Sequence, residues 1–200
     1  MNVRDFFHTQ TEIVVFDTEF TTWEGAKERN WSGDFEHREL VQIAAKKINL
    51  RTESVIDSFE LFIKPTINPI LSEFFIQLTG ISQTQIDENG IDFATGYKKF
   101  VSWSDDLPKF AYNRREYHPA DLSVLQENME LYNLPYEIPQ NEYGNLAAVY
   151  QSVGIDTYQY SSGELFRAFG LELDGHVHNA MHDVDSLVAC LFATKRILVG

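Results

Sequence analysis

Apolar residues arrive in this chain in short bursts between polar turns, and the period of each burst assigns it to a strand or a helix. Stretches rich in branched and aromatic side chains predict strands near 12–17, 40–49 and 53–63, the first built on Ile13-Val14-Val15-Phe16. Apolar residues at helical spacing then predict helices near 70–78, 82–87 and 91–104, the last carrying Phe93, Tyr97, Phe100 and Val101. A strand near 109–113 and a helix over 120–133 follow, the helix repeating Leu122, Leu125, Met129 and Tyr132. Asn133-Leu134-Pro135-Tyr136-Glu137-Ile138-Pro139 breaks that helix and has room for a short fifth strand. Helices near 145–152, 162–169 and 179–197 close the chain. Three early strands with short connections, followed by alternating helices and strands, predict an α/β domain: a five-stranded mixed sheet with helices on both faces.

Composition supports one domain spanning 1–200, because 44% hydrophobic residues and no low-complexity stretch suffice for a proper core. The first residues lack the continuous apolar region of a signal peptide, and no run of 18 apolar residues occurs, so the expectation is a cytoplasmic protein with no membrane partner. Cys190 is the single cysteine, which leaves neither a disulfide nor zinc–cysteine chemistry within the chain.

Candidate chemistry begins where the first strand delivers Asp17-Thr18-Glu19. Alternate residues of a strand share a face, so Asp17 and Glu19 project side by side. Two anions so placed repel each other unless a positive charge stands between them, and all-oxygen ligands favour a hard divalent cation. A turn pair just past a strand is the competing reading. Asp183 falls in the first turn of the last helix, beside the apolar stripe of Val184, Leu187, Val188 and Leu191, with His178 just upstream. Asp121 heads the helix that follows the fourth strand, where an acid also complements the helix dipole.

Asp17-x-Glu19, then Asp121, then His178 separated by four residues from Asp183, resembles the DEDDh 3′–5′ exonucleases of the ribonuclease-H-like superfamily. The likeness extends to Arg38-Glu39-Leu40-Val41-Gln42-Ile43-Ala44-Ala45, to Phe62-Ile63-Lys64-Pro65 and to Leu78-Thr79-Gly80-Ile81, and is nearest in look to the histone-mRNA and RNA-interference-type exonucleases and their bacterial relatives. The resemblance implies a ribonuclease-H-like fold and two Mg²⁺ or Mn²⁺ ions held by Asp17, Glu19, Asp121 and Asp183. It implies His178 as general base, and a pocket for the terminal nucleotide lined by Phe20, Leu78, Thr79, Gly80 and Ile81. The partner it implies is the 3′ end of single-stranded RNA or DNA, shortened to nucleoside 5′-monophosphates. A second reading is an exonuclease-like module that regulates a protein partner. A third is a zinc site of His176, His178, His182 and Asp183, since His178 and His182 stand four residues apart. RNA against DNA, and the oligomeric state, stay open.

The formal charge of −14 runs against nucleic-acid binding, which draws on basic surfaces. The charge is uneven: residues 1–115 hold 13 Lys and Arg against 18 Asp and Glu, whereas residues 116–194 hold one against 12. A strand should therefore enter across the N-terminal half, with Lys27, Arg29, Arg38, Lys98, Lys99, Arg114 and Arg115 as candidate phosphate contacts. The irregular segment from Thr21 to His37, carrying Trp23, Trp31 and Phe35, reads either as a lid on which bases stack or as a packed surface loop.

Overall fold

Alternation along the first strand sorts the molecule into two cores. In the computed structural model, which describes residues 3–114, 120–134 and 143–199, strand β1 (Glu12–Phe20) sends Ile13 and Val15 to one buried face and Val14 and Phe16 to the other. Strands β2 (Leu40–Asn49) and β3 (Ser54–Phe62) pair antiparallel on one side of it, while β4 (Lys109–Ala111) and β5 (Tyr143–Asn145) pair parallel on the other. The order β3-β2-β1-β4-β5 is a five-stranded mixed sheet, as the periodicity predicts.

Each face is covered by helices. Helix α7 (Ala180–Val199) lays Val184, Leu187, Val188 and Leu191 against Ile13, Val15, Ala44 and Ile48, with the short α6 (Ala147–Gln151) beside it. On the other face α4 (Phe93–Ser104) and α5 (Ala120–Leu131) bury Phe93, Tyr97, Phe100, Leu122, Leu125 and Met129 against Val14, Phe16, Ile43 and Ala45. Fully burying one such side chain contributes roughly 1.5–3 kcal/mol, so both faces hold the sheet firmly. Helices α2 (Glu73–Thr79) and α3 (Gln83–Asn89) make a smaller core with Val41, in which Phe75, Ile81 and Ile86 are buried. Among the described residues no helix is long and apolar enough to cross a membrane.

Several boundaries differ from the sequence pattern. An N-terminal helix, α1 (Val3–Thr9), inserts Phe6 into the α7-side core, its ring edge-on to Phe110 at 5.2 Å. Strand β1 runs past residue 17 to Phe20 because β2 continues to pair with it, setting Asp17 opposite Ala44 and Glu19 opposite Gln42. The described fifth strand is Tyr143–Asn145; of the stretch 133–139 that has room for one by pattern, residues 135–139 lie outside the described residues. Its position is set by a close approach: a Cβ at Gly144 would stand 2.4 Å from Phe110 Cε1 on β4, so only glycine allows this contact. Asn145 ends that strand and accepts from Ala147 N at 3.0 Å, which starts α6 two residues later than the pattern predicts. The segment Ser162–Phe169 is a 3-10 helix.

One buried carboxylate ties three parts of this frame together. Glu39, fully buried at the entry to β2, accepts from the backbone N–H groups of Thr66, Ile67 and Asn68 at 2.7, 2.8 and 2.6 Å and from Tyr132 Oη at 2.7 Å. It joins the β3–α2 connection and the end of α5 to the central sheet. Glu39→Ala orphans these donors and is expected to cost about 2–4 kcal/mol, with Glu39→Gln milder because it keeps an acceptor; urea unfolding of the two variants measures both.

Candidate functional site

Three carboxylates meet beyond the α7-side core. Asp17 and Glu19 continue the face of β1 that carries Ile13 and Val15, and the first turn of α7 brings Asp183 to them, so that one oxygen from each lies within 4.8 Å of the others. The placement of α7 is set by Gln42, the fully buried partner of Glu19 across the strand pair. Its Oε1 accepts from Ala180 N at 3.0 Å and its Nε2 donates to Glu60 at 2.7 Å. Asn179 caps the helix, accepting from Met181 N at 3.2 Å, and Lys46 of β2 forms an ion pair with Asp185.

Asp183 is gripped at both oxygens. Oδ1 accepts from His178 N at 3.1 Å, and Oδ2 accepts from Ser162 Oγ at 2.7 Å. His178 has the left-handed φ of 68°, a turn that carries its backbone N–H back onto its own helix's first acid and leaves the imidazole half-buried at the helix entry. Asp121 approaches from the other side of β1. Its Oδ1 accepts from both Thr18 N at 2.9 Å and Thr18 Oγ1 at 2.7 Å, the residue between the two strand acids. It therefore stands next to the three-carboxylate group without being part of it.

Burial and mutual repulsion govern the charge of these groups. The Asp17 carboxyl is held well above the usual range by burial and then by the charges of Asp121, Asp183 and Glu19, against a small opposing pull from Ser162. Glu19 is likewise raised by burial, then by Asp183 and Asp121. Burial pushes Asp121 up to about 6 in spite of the two donors on Thr18, and raises Asp183 in spite of Ser162 and His178. Among the described residues no ion pair supplies a cation to any of the four. An all-oxygen donor set of this kind, starved of positive charge, suits a hard divalent cation.

The remaining predicted residues surround this group unevenly. Phe20 follows Glu19 on β1, half-buried, with its ring edge-on to Trp31 at 5.7 Å. Leu78, Thr79, Gly80 and Ile81 end α2, with Thr79 and Ile81 buried and Gly80 at φ 73°. The His176 ring lies over Gly80, where a Cβ would meet His176 Cδ2 at 3.4 Å, so the loop bearing His178 reaches this segment. The three histidines are not gathered into a zinc site: His182 turns Nε2 to Gly163 O at 3.2 Å and His176 faces Gly80, and the group of possible metal ligands among the described residues is carboxylate only. Two of the candidate phosphate contacts are engaged, Arg29 with Glu36, and Arg38 with Glu127 while its guanidinium sits over Phe20 and Trp31. Lys27, Lys98 and Lys99 are exposed, Arg114 is half-buried, and Arg115 lies outside the described residues. In the 21–37 segment Trp23 and Trp31 are half-buried, whereas Phe35 is 77% exposed. Trp31 Nε1 donates to Thr22 Oγ1 at 3.2 Å, so this tryptophan packs within the segment, and of the segment's three aromatic rings Phe35 is the exposed one. Gln42, Thr18 and Ser162 had no signal in the sequence, since each acts through a partner 20 or more positions away in the chain.

Comparison with known proteins agrees with this geometry. The exonuclease family model RNase_T matches residues 14–191. The chain is 32% identical over 91 residues to human ERI1 exoribonuclease 2, covering 46% of this chain and 12% of that protein. It is 27% identical over 176 residues to human 3′-5′ exoribonuclease 1, covering 86% of this chain and 48% of that protein. The chain thus spans half or less of these relatives' length. The structure of the nuclease domain of 3′hExo, a DEDDh family member bound to rAMP, superposes with a TM-score of 0.76 at 23% identity, covering 95% of this chain and 93% of that one.

The raised carboxyls give the metal-free protein a pH dependence of definite sign. Between the ordinary carboxyl values of 3.8 to 4.5 and the raised folded ones, the native state binds more protons than the unfolded chain, so stability falls as pH rises through that window. For Asp121 the window ends at about 6, and the raised Asp17 and Glu19 carboxyls act in the same direction. Scanning calorimetry in chelator is expected to show a melting temperature roughly 5 °C lower at pH 8 than at pH 5, with Asp17→Asn flattening the difference and added Mn²⁺ restoring the loss at pH 8.

Proposed function

Because this chain belongs to the RNase_T exonuclease family, we propose that it is a metal-dependent 3′–5′ exonuclease that removes nucleoside 5′-monophosphates from the 3′ end of single-stranded nucleic acid. The observation that carries this reading is the convergence of Asp17, Glu19 and Asp183 on one small volume, with Asp121 bound to the residue between the first two. On this proposal residues 1–200 are one exonuclease domain acting in the cytoplasm. The names of the relatives favour RNA over DNA as substrate.

Asp17, Glu19 and Asp183, completed by Asp121, would hold two divalent cations, Mg²⁺ or Mn²⁺. Such ions supply an ionised water at neutral pH and charge stabilisation for the leaving 3′ oxygen. The chain's own part is then proton transfer, orientation and confinement. His178 stands at the entry to α7, tethered to Asp183 through its backbone N–H. On this proposal its imidazole would accept the proton of the attacking water, a task that imidazole suits at neutral pH. Phe20 and the Leu78–Ile81 segment would line the terminal nucleotide. The buried Thr79 braces that segment by donating to Phe75 O at 2.9 Å and accepting from Ile81 N at 3.1 Å. No observation favours a protein-binding role in place of this chemistry.

Matched RNA and DNA oligonucleotides labelled at the 3′ or the 5′ end, incubated with Mg²⁺ or Mn²⁺, test the reading. A 3′ label should leave first as a mononucleotide while a 5′ label marks a shortening ladder; internal cleavage, or activity undiminished by chelator, overturns it. His178→Ala should lower kcat by at least ~100-fold with KM little changed, as loss of a general base does. Asp121→Asn should nearly abolish turnover, while the double change Asp105→Asn, Asp106→Asn stays within about threefold, an ordinary surface effect.

A further inference from the structure

Ser162 belongs to the site by geometry alone. It opens the 3-10 segment Ser162–Phe169, and its hydroxyl donates to Asp183 Oδ2 at 2.7 Å, with the Asp17 carboxyl also within its reach. A hydroxyl carries one proton and serves one carboxylate at a time. The following residue is pressed against the same carboxylate, since a Cβ at Gly163 would stand 2.1 Å from Asp183 Oδ1. This segment is stapled in place. Tyr112 Oη has both Thr157 O at 2.8 Å and Tyr160 O at 3.2 Å in reach of its one proton, His182 faces Gly163 O at 3.2 Å, and Phe166 N donates to Ser186 Oγ at 3.2 Å. The adjacent Ser161 points elsewhere, donating to Glu164 Oε2 at 3.1 Å.

The terminal torsion of an aspartate is broad, so a carboxylate held at one oxygen still rotates. Asp183 is held at both, by donors from opposite sides: His178 N on Oδ1 and Ser162 Oγ on Oδ2. We infer that Ser162 is a positioning residue whose hydroxyl fixes the rotation of the Asp183 carboxylate toward Asp17 and Glu19 and thereby sets the affinity of the chain for its divalent cation. The inference rests on the metal-dependent reading above and adds to it a residue that acts through Asp183. Groups that orient a metal-binding carboxylate typically change metal affinity by 10-fold or more when removed.

The test is calorimetric titration of Mn²⁺ into the unaltered protein and into Ser162→Ala, Ser162→Cys and Ser161→Ala, followed by turnover at increasing Mn²⁺. Ser162→Ala should bind Mn²⁺ about tenfold more weakly and need about tenfold more of it for half-maximal turnover, with kcat at saturating Mn²⁺ and KM for the oligonucleotide near the unaltered values. Ser162→Cys, similar in shape but a weak donor, should fall between, and it carries the decision if the alanine variant does not fold. Ser161→Ala should bind as the unaltered protein does. Unaltered Mn²⁺ affinity in Ser162→Ala, or in Ser162→Cys in its place, overturns the inference while leaving the metal-dependent reading intact. No Mn²⁺ binding by the unaltered protein overturns that reading and this inference together.

Discussion

Like charges gathered in a buried place must be held there by the rest of the structure, and the repulsion among Asp17, Glu19, Asp121 and Asp183 is the constraint around which this molecule is organised. Every element near the site serves to keep these groups together against that repulsion. β1 fixes two of them on one face through its pairing with β2. Gln42 draws the start of α7 to the sheet, Thr18 takes hold of Asp121, and His178 and Ser162 take hold of Asp183. The two apolar cores make the strand and helices rigid enough to bear the load. A divalent cation between the acids would offset that repulsion, so an acid cluster suited to one is held at a cost in stability without it.

The same logic explains a net charge of −14 on a chain read as a nucleic-acid enzyme. Affinity need not come from a broad basic face when the reacting phosphate is neutralised at one point by bound cations. Two of the basic residues in the N-terminal half are spent on architecture instead. Arg38 pairs with Glu127 of α5 and covers the rings of Phe20 and Trp31, so it locks the segment after β1 onto the helix that carries Asp121. Arg29 pairs with Glu36 inside that segment, which packs through Trp31 and leaves Phe35 as its exposed ring.

The sequence by itself determined the fold class and offered Asp17, Glu19 and Asp183 as candidate acids, whose joint assignment came from the family resemblance. Strand and helix periods are local, so the β1 core run, the α7 stripe and the spacing of Asp17, Glu19 and Asp183 within them can be read without knowing what packs where. Local pattern also sufficed to place Asp121 at a helix start. Tertiary structure decided the rest, because each of those features depends on a distant partner. The extension of β1 to Phe20 comes from pairing with β2. The fifth strand, three residues around Gly144, has no period of its own and exists through its close approach to Phe110. The three neighbouring histidines, of which the family resemblance singles out His178, are separated by where their backbones turn: His176 onto Gly80, His182 onto Gly163, and His178, in a left-handed turn, onto Asp183. Ser162 lies 21 positions from the carboxylate it holds and 145 from Asp17. A hydroxyl's partner is chosen by direction within a few tenths of an ångström, and direction at that scale is a property of packed elements, which a linear pattern does not contain.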